Sequence, residues 1–200
     1  MVEEGGRKQQ VLIPLSPYTM QKLSEMIAIL SSREKPNLAL RGPAAGGKNT
    51  LMYLLAGLAK WPVHLMSLNH DTTQRQLVAL QTVGESGKEE TGYRPSPMVQ
   101  AADAGVWGAA DEVNKPANAG VLAAWYSLLE HRFITLPDGQ VVLAKPGFRA
   151  IAMLNPDRPP YLVSEVPVDF ERRFQFVDMD YLHAPKRAHE TPEQAKARLK

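Results

Sequence analysis

The apolar run Leu38-Ala39-Leu40 leads into Gly42-Pro43-Ala44-Ala45-Gly46-Gly47-Lys48-Asn49-Thr50, after which Leu51, Leu54, Leu55, Leu58 and Ala59 recur at helical spacing. A buried strand, a glycine-bounded turn and a helix in that order constrain the fold more than any other segment, because they are the building unit of α/β proteins with a parallel sheet. The turn also constrains the chemistry. Gly42 and Gly47 let successive backbone N–H groups converge on a polyphosphate, with Pro43, Ala44, Ala45 and Gly46 shaping the turn between them. Lys48 extends toward the outer phosphate oxygens, and the helix starting there adds its positive N-terminal end. The next position of such a loop usually offers a Ser or Thr hydroxyl to Mg²⁺. Here Asn49 offers an amide oxygen instead, and Thr50 is the nearest substitute.

Composition narrows the class. With 200 residues and 44% hydrophobic content, the chain is long enough for one domain with a full core. Lys and Arg number 23 against 21 Asp and Glu, so the formal charge of +2 gives no support to a broad nucleic-acid footprint. The absence of cysteine excludes disulfides, thiol nucleophiles and cysteine-bound zinc, and fits the cytoplasm or another reducing interior. The polar start, Met1-Val2-Glu3-Glu4-Gly5-Gly6-Arg7-Lys8, reads as neither a secretory signal nor a membrane anchor, and no apolar run reaches spanning length.

Periodicity predicts a helix over 18–30, the strand and helix around the loop, and a stop at Trp61-Pro62. A second strand follows over 63–68, then a short helix capped from Asp71-Thr72-Thr73. Residues 81–97 read as an exposed loop from their Gly, Glu, Ser, Thr and Pro content. Beyond a helix over 98–104, Trp107-Gly108-Ala109-Ala110 reads as a strand that packs less than bulky aliphatics would, and it ends in Asp111-Glu112. Val121, Leu122, Trp125, Leu128 and Leu129 predict one amphipathic helix, and Phe133–Leu136 with Val141–Leu143 a hairpin turned by Asp138-Gly139. Strands over 148–154 and 174–179 complete the sheet, with Asn155 ending the former. The resulting division is a polar tail over 1–10, an α/β core over 11–182 and a charged tail over 183–200 that is a surface helix or disordered.

Triphosphate hydrolysis requires phosphate neutralisation, a metal, and a group that aligns water at the γ-phosphorus. Asp111, at the carboxyl end of a strand where open α/β sheets place ligands, is a metal-holding carboxylate together with Asn49 and Thr50. Glu112 is the candidate for polarising water, and Asn155 for orienting it or touching the γ-phosphate. Arg172 and Arg173 are candidates for stabilising transition-state charge on a neighbouring subunit's nucleotide, with Arg173 preferred because it directly precedes Phe174.

This ordered set resembles the AAA+ ATPases of the dynein-related and MoxR-type branch. Gly42 to Lys48 match its phosphate loop, Asp111-Glu112-Val113-Asn114-Lys115-Pro116 its acidic strand end, Asn155-Pro156 its first sensor and Arg172-Arg173-Phe174 its arginine segment. Leu68-Asn69-His70-Asp71-Thr72-Thr73 and the Asp-Gly hairpin look most similar to the ATPase modules of von Willebrand factor A domain-containing AAA+ proteins. Midasin-like modules and the rubisco-activase and nitric-oxide-reductase Q proteins are near alternatives. The resemblance spans roughly Val11 to Leu182. It implies a three-layer P-loop fold, ATP and Mg²⁺ as ligands, a homo- or hetero-oligomer completed by a trans arginine, and remodelling of a protein substrate or adaptor. Such proteins also carry a helical lid, which the charged tail is too short to build. The alternative function is a nucleotide-binding assembly module with little turnover, favoured by Asn49; a small-molecule kinase is the third reading.

Overall fold

The computed structural model describes residues 2–4, 7–9, 15–34, 36–83, 91–156 and 163–180. Within the segment expected as a polar tail, Val2–Glu4 (β1) and Arg7–Gln9 (β2) pair antiparallel. Pro17–Leu30 (α1) then precedes Leu38–Arg41 (β3), Lys48–Ala59 (α2) and Val63–Ser67 (β4). Gln74–Val78 (α3) leads to Ala79–Val83 (β5) and Thr91–Pro95 (β6). Next come Pro97–Ala104 (α4), Trp107–Asp111 (β7), a 3-10 helix over Ala119–Trp125 and Tyr126–His131 (α5). Phe133–Thr135 (β8), Val141–Leu143 (β9), Arg149–Leu154 (β10), Val168–Glu171 (α6) and Gln175–Asp178 (β11) follow.

Five strands form one sheet in the order β11-β3-β10-β7-β4, and every pairing in it is parallel. A parallel sheet needs both faces covered, so its strands lack the polar alternation of a one-sided sheet. Their alternation instead divides two apolar layers. Leu38, Leu40, Ala109, Ile151 and Met153 pack with Leu23, Met26 and Leu30 of α1 and Leu51, Met52 and Leu55 of α2. Ala39, Ala110, Ala150, Ala152 and Leu154 face Met98, Val99 and Ala101 of α4, with Leu122, Trp125 and Leu128 beyond. This is the three-layer α/β architecture expected from the sequence, and it brings the carboxyl ends of β3, β7 and β10 side by side.

Three local readings change. Residues within the expected 81–97 loop belong to an antiparallel pair, β5 with β6, registered from Ala79 opposite Pro95 to Val83 opposite Thr91. Backbone pairing there prevails over a composition that looks like a turn; residues 84–90 lie outside the described residues. The single amphipathic helix over 121–129 is divided, with a 3-10 stretch capped by Asn118 that joins α5 at Trp125. The Gly-Ala strand is the third: β7 is fully paired between β10 and β4, and its small residues admit α4 rather than weaken the sheet. A Cβ added at Gly108 would come within 2.6 Å of Met98 Sδ, 3.1 Å of Ala101 Cβ and 3.2 Å of Phe148 Cε2. Gly108→Val should therefore overpack this layer and destabilise by about 2 kcal/mol, a fall of about 5 °C in thermal midpoint. An unchanged midpoint would show that α4 yields freely. The expected tail over 183–200 lies outside the described residues.

Candidate nucleotide-binding site

The loop between β3 and α2 is shaped by backbone constraints. Gly42 donates its N–H to Leu154 O at 3.1 Å, and a Cβ there would meet Met179 O at 2.7 Å, so the chain leaving β11 requires glycine at this point. Gly47 stands at φ 84, a left-handed conformation that glycine adopts without steric cost, and it begins α2. The side chains of Ser16, Thr73 and Ser96 accept N–H bonds at the starts of α1, α3 and α4. Gly47 gives α2 no such cap. The first N–H groups of that helix therefore face the loop's concavity, together with the positive end of the helix.

Lys48 is 8% exposed, and its ammonium donates to Gly42 O at 2.7 Å, Pro43 O at 2.9 Å and Asn155 Oδ1 at 3.0 Å. Burial lowers its pKa, opposed by the charges of Asp111 and Glu112, which raise it. Asn49 Nδ2 donates to Asp111 Oδ2 at 2.7 Å, whereas Asn49 Oδ1 is buried with no partner. The other oxygen of Asp111 accepts the Glu112 N–H at 2.8 Å. Glu112 itself sits at φ 55, left-handed for a residue with a side chain, which turns the chain sharply just beyond β7. Its carboxylate is 41% exposed and lies 3.7 Å from Lys115 Nζ.

Ala44 to Thr50, Asp111, Glu112 and Asn155 line one cavity of about 240 Å³. The phosphate loop after β3 and three further site residues named from sequence, Asp111 and Glu112 after β7 and Asn155 after β10, thus converge there from three strand ends. The arginines do not. Asn37, just before β3, donates from Nδ2 to Arg173 O at 3.2 Å, which fixes Arg173 at the amino end of the sheet. The four residues of β3, about 13 Å of chain, separate that end from the phosphate loop. Arg173 is engaged within the chain itself, its guanidinium pairing with Glu130 and Asp169 O and lying 4.2 Å over the Tyr126 ring. Arg172 is 75% exposed, with Asp169 Oδ1 at 3.9 Å. Both line a second cavity of about 390 Å³ with Glu34, Asn37 and Glu130.

Sequence reasoning gave no role to Asn114, which is 2% exposed and donates to Asn155 O at 2.8 Å while accepting the Asn155 N–H at 3.3 Å. Its partner lies 41 residues away, and no local pattern signals such a contact. Among the described residues no cluster of three or more His, Cys, Asp or Glu side chains is placed to hold a metal, and no helix is long and apolar enough to cross a membrane.

The family model of the AAA domain, dynein-related subfamily, matches residues 37–174. An uncharacterized protein of Staphylococcus epidermidis is 29% identical over 154 residues, covering 73% of this chain and 56% of that protein. YojN of Bacillus subtilis is 29% identical over 181 residues, covering 86% of this chain and 57% of its own. The chain spans little more than half the length of these curated relatives. Among solved structures, a candidate ATPase from Cytophaga hutchinsonii superposes with a TM-score of 0.56 at 15% identity, covering 80% of this chain and 50% of that one, a likeness of fold. With the phosphate loop, acidic strand end and buried asparagine on one edge of a parallel sheet, and a family match that takes in all of them, the chain belongs to the dynein-related subfamily of AAA domains.

Proposed function

We propose that this domain binds ATP with Mg²⁺ and hydrolyses it, and that the cycle drives remodelling of a partner protein from within an oligomer. The observation that carries the reading is the convergence of Lys48, Asn49, Asp111, Glu112 and Asn155 on one cavity at the uncapped start of α2. In this reading the ATPase core extends over 11–182, within a longer architecture akin to the von Willebrand factor A domain-containing AAA+ proteins. A cysteine-free chain suits a reducing interior.

Lys48 holds the β- and γ-phosphates by giving up part of its present set of loop carbonyls, and the N–H groups of the loop and α2 take the remaining oxygens. The residues fit a magnesium ion. The donors are oxygens, as a hard cation requires: Asp111 brings a carboxylate to the cavity, and Asn49 carries a buried amide oxygen with no partner, which a turn of the amide would bring toward Asp111 in place of the nitrogen now bonded there. Asn49, Thr50 and Asp111 would hold it, and its charge would neutralise the phosphates. Glu112 takes the proton of the attacking water, and Asn155 meets the γ-phosphate beside Lys48. Because Arg172 and Arg173 occupy the opposite end of the sheet, they serve the nucleotide of a neighbouring subunit, which makes activity dependent on assembly. Arg173 has first to leave Glu130, whereas Arg172 is already exposed.

Phosphate release from MgATP by the purified protein tests the reading. ATP binding without release would leave an assembly module, and transfer to an added metabolite would indicate a kinase. Asn49→Ala should remove most of the gain in ATP affinity that Mg²⁺ confers, about tenfold, with Asn49→Ser retaining it. Titrations of a fluorescent ATP analogue in Mg²⁺ and in EDTA measure this directly; an equal gain in Asn49→Ala would assign the metal to other groups.

A further inference from the structure

We infer that Asn114 is the positioning residue for Asn155, holding its main chain so that its amide meets the γ-phosphate; the inference rests on the ATPase reading above. The parallel pairing of β7 with β10 extends through Ala110 opposite Ala152. It would be expected to end where Glu112 turns to φ 55. Instead Val113 N–H donates to Met153 O at 3.1 Å, and the next rung is supplied by a side chain. Asn114 Nδ2 donates to Asn155 O at 2.8 Å and Asn114 Oδ1 accepts from Asn155 N at 3.3 Å. The amide thereby stands in for the backbone of a missing strand residue, and both of its polar ends are spent on one partner.

That partner is the residue whose Oδ1 accepts from Lys48 at 3.0 Å. Asn114 is itself held from behind. Its carbonyl accepts the Ser164 N–H at 2.9 Å, and Ser164 Oγ donates to Pro116 O at 2.7 Å, so the turn carrying Asn114 is pinned at two points. Asparagine alone matches these needs among side chains of its length, since it presents one donor and one acceptor at the same reach. Asp would retain the acceptor for the Asn155 N–H but set a carboxylate oxygen against the Asn155 carbonyl. Ala would leave both backbone groups unpaired in a buried place.

The sharp consequence concerns the γ-phosphate alone. ADP binding depends on the loop and Lys48, which Asn114 does not touch, so a displaced Asn155 should weaken ATPγS and leave ADP nearly unaffected. On the full chain, measured by displacement of a fluorescent ADP analogue, Asn114→Asp and Asn114→Ala are expected to weaken ATPγS about tenfold and to change ADP by less than about twofold. Asn155→Ala should do the same, and the double variant Asn114→Ala/Asn155→Ala should be no weaker than Asn155→Ala, because Asn114 acts only through that side chain. Asn114→Asp preserves side-chain volume and carries the test if the alanine variant does not fold. Parallel losses of ADP and ATPγS, or losses that multiply in the double variant, would overturn the inference by making Asn114 a general support of the fold. If Asn155→Ala leaves ATPγS affinity intact, the γ-phosphate reading of Asn155 fails and the inference falls with it. If Asn155→Ala weakens ATPγS and Asn114→Asp does not, the inference alone fails.

Discussion

Lys48→Ala is expected to remove most of the rise in thermal midpoint that nucleotide gives the wild-type protein, while moving the midpoint of the free protein little. The two effects separate because the lysine has two different roles. Without nucleotide, its ammonium donates to Gly42 O, Pro43 O and Asn155 Oδ1 from an 8% exposed position, and burial lowers its pKa. Removing it costs those bonds but relieves the desolvation of a charge, so the terms largely offset each other. With nucleotide, the same charge meets polyphosphate, and hydrogen bonds to charged groups contribute about 1.5–3 kcal/mol each, enough to lower affinity about a hundredfold for Lys48→Ala. At nucleotide about a hundredfold above the wild-type dissociation constant, linkage stabilises the fold by about 2.7 kcal/mol, or about 5–10 °C for a chain of this size. Thermal unfolding with and without ADP reads both numbers. A preserved shift in Lys48→Ala would mean that nucleotide is held elsewhere; a collapsed apo midpoint would make Lys48 chiefly structural.

Legibility from sequence followed how local each determinant is. Gly42 to Thr50 was readable because a strand, a turn and a helix are consecutive, and all their constraints lie within a few residues. Asp111 and Asn155 were readable as polar residues terminating apolar strands, and the fold brings both to the same cavity. The β5–β6 pair was not readable, since turn-like residues there are overruled by pairing across the segment. The strand around Gly108 looked thin because its compensation, the close approach of Met98 and Phe148, lies on other elements. The engagement of Arg173 with Glu130, 43 residues away, and of Asn114 with Asn155 are tertiary facts without a local pattern. The metal position is intermediate. Asn49 could be named as unusual from sequence, but only the fold shows its amide divided between an anchored nitrogen and an unpartnered oxygen.

Glu112→Gln should reduce ATP turnover by about 10²–10⁴-fold while ATP and ADP still bind, the range expected when a general base is lost. The substitution preserves size and leaves the surrounding bonds in place: the Glu112 N–H continues to donate to Asp111 Oδ1 at 2.8 Å, and its carbonyl to accept from Lys115 N at 2.9 Å. What changes is the ability to take a proton. The carboxylate is 41% exposed beside the cavity, with Lys115 Nζ at 3.7 Å, open to water yet next to where the γ-phosphate would stand. The left-handed φ of 55 turns the chain away from the line of β7 and so sets where Glu112 stands; Lys60 and Arg132 adopt the same conformation outside the site, so it says nothing of the chemistry. Single-turnover phosphate release, measured beside nucleotide affinity, distinguishes the outcomes. Loss of release with affinity preserved supports Glu112 as the base, and the variant would accumulate the ATP-bound state. Turnover at the wild-type rate would remove Glu112 from the chemistry and leave Asn155 to orient the water. Loss of binding and release together would instead place Glu112 among the groups that shape the phosphate cavity.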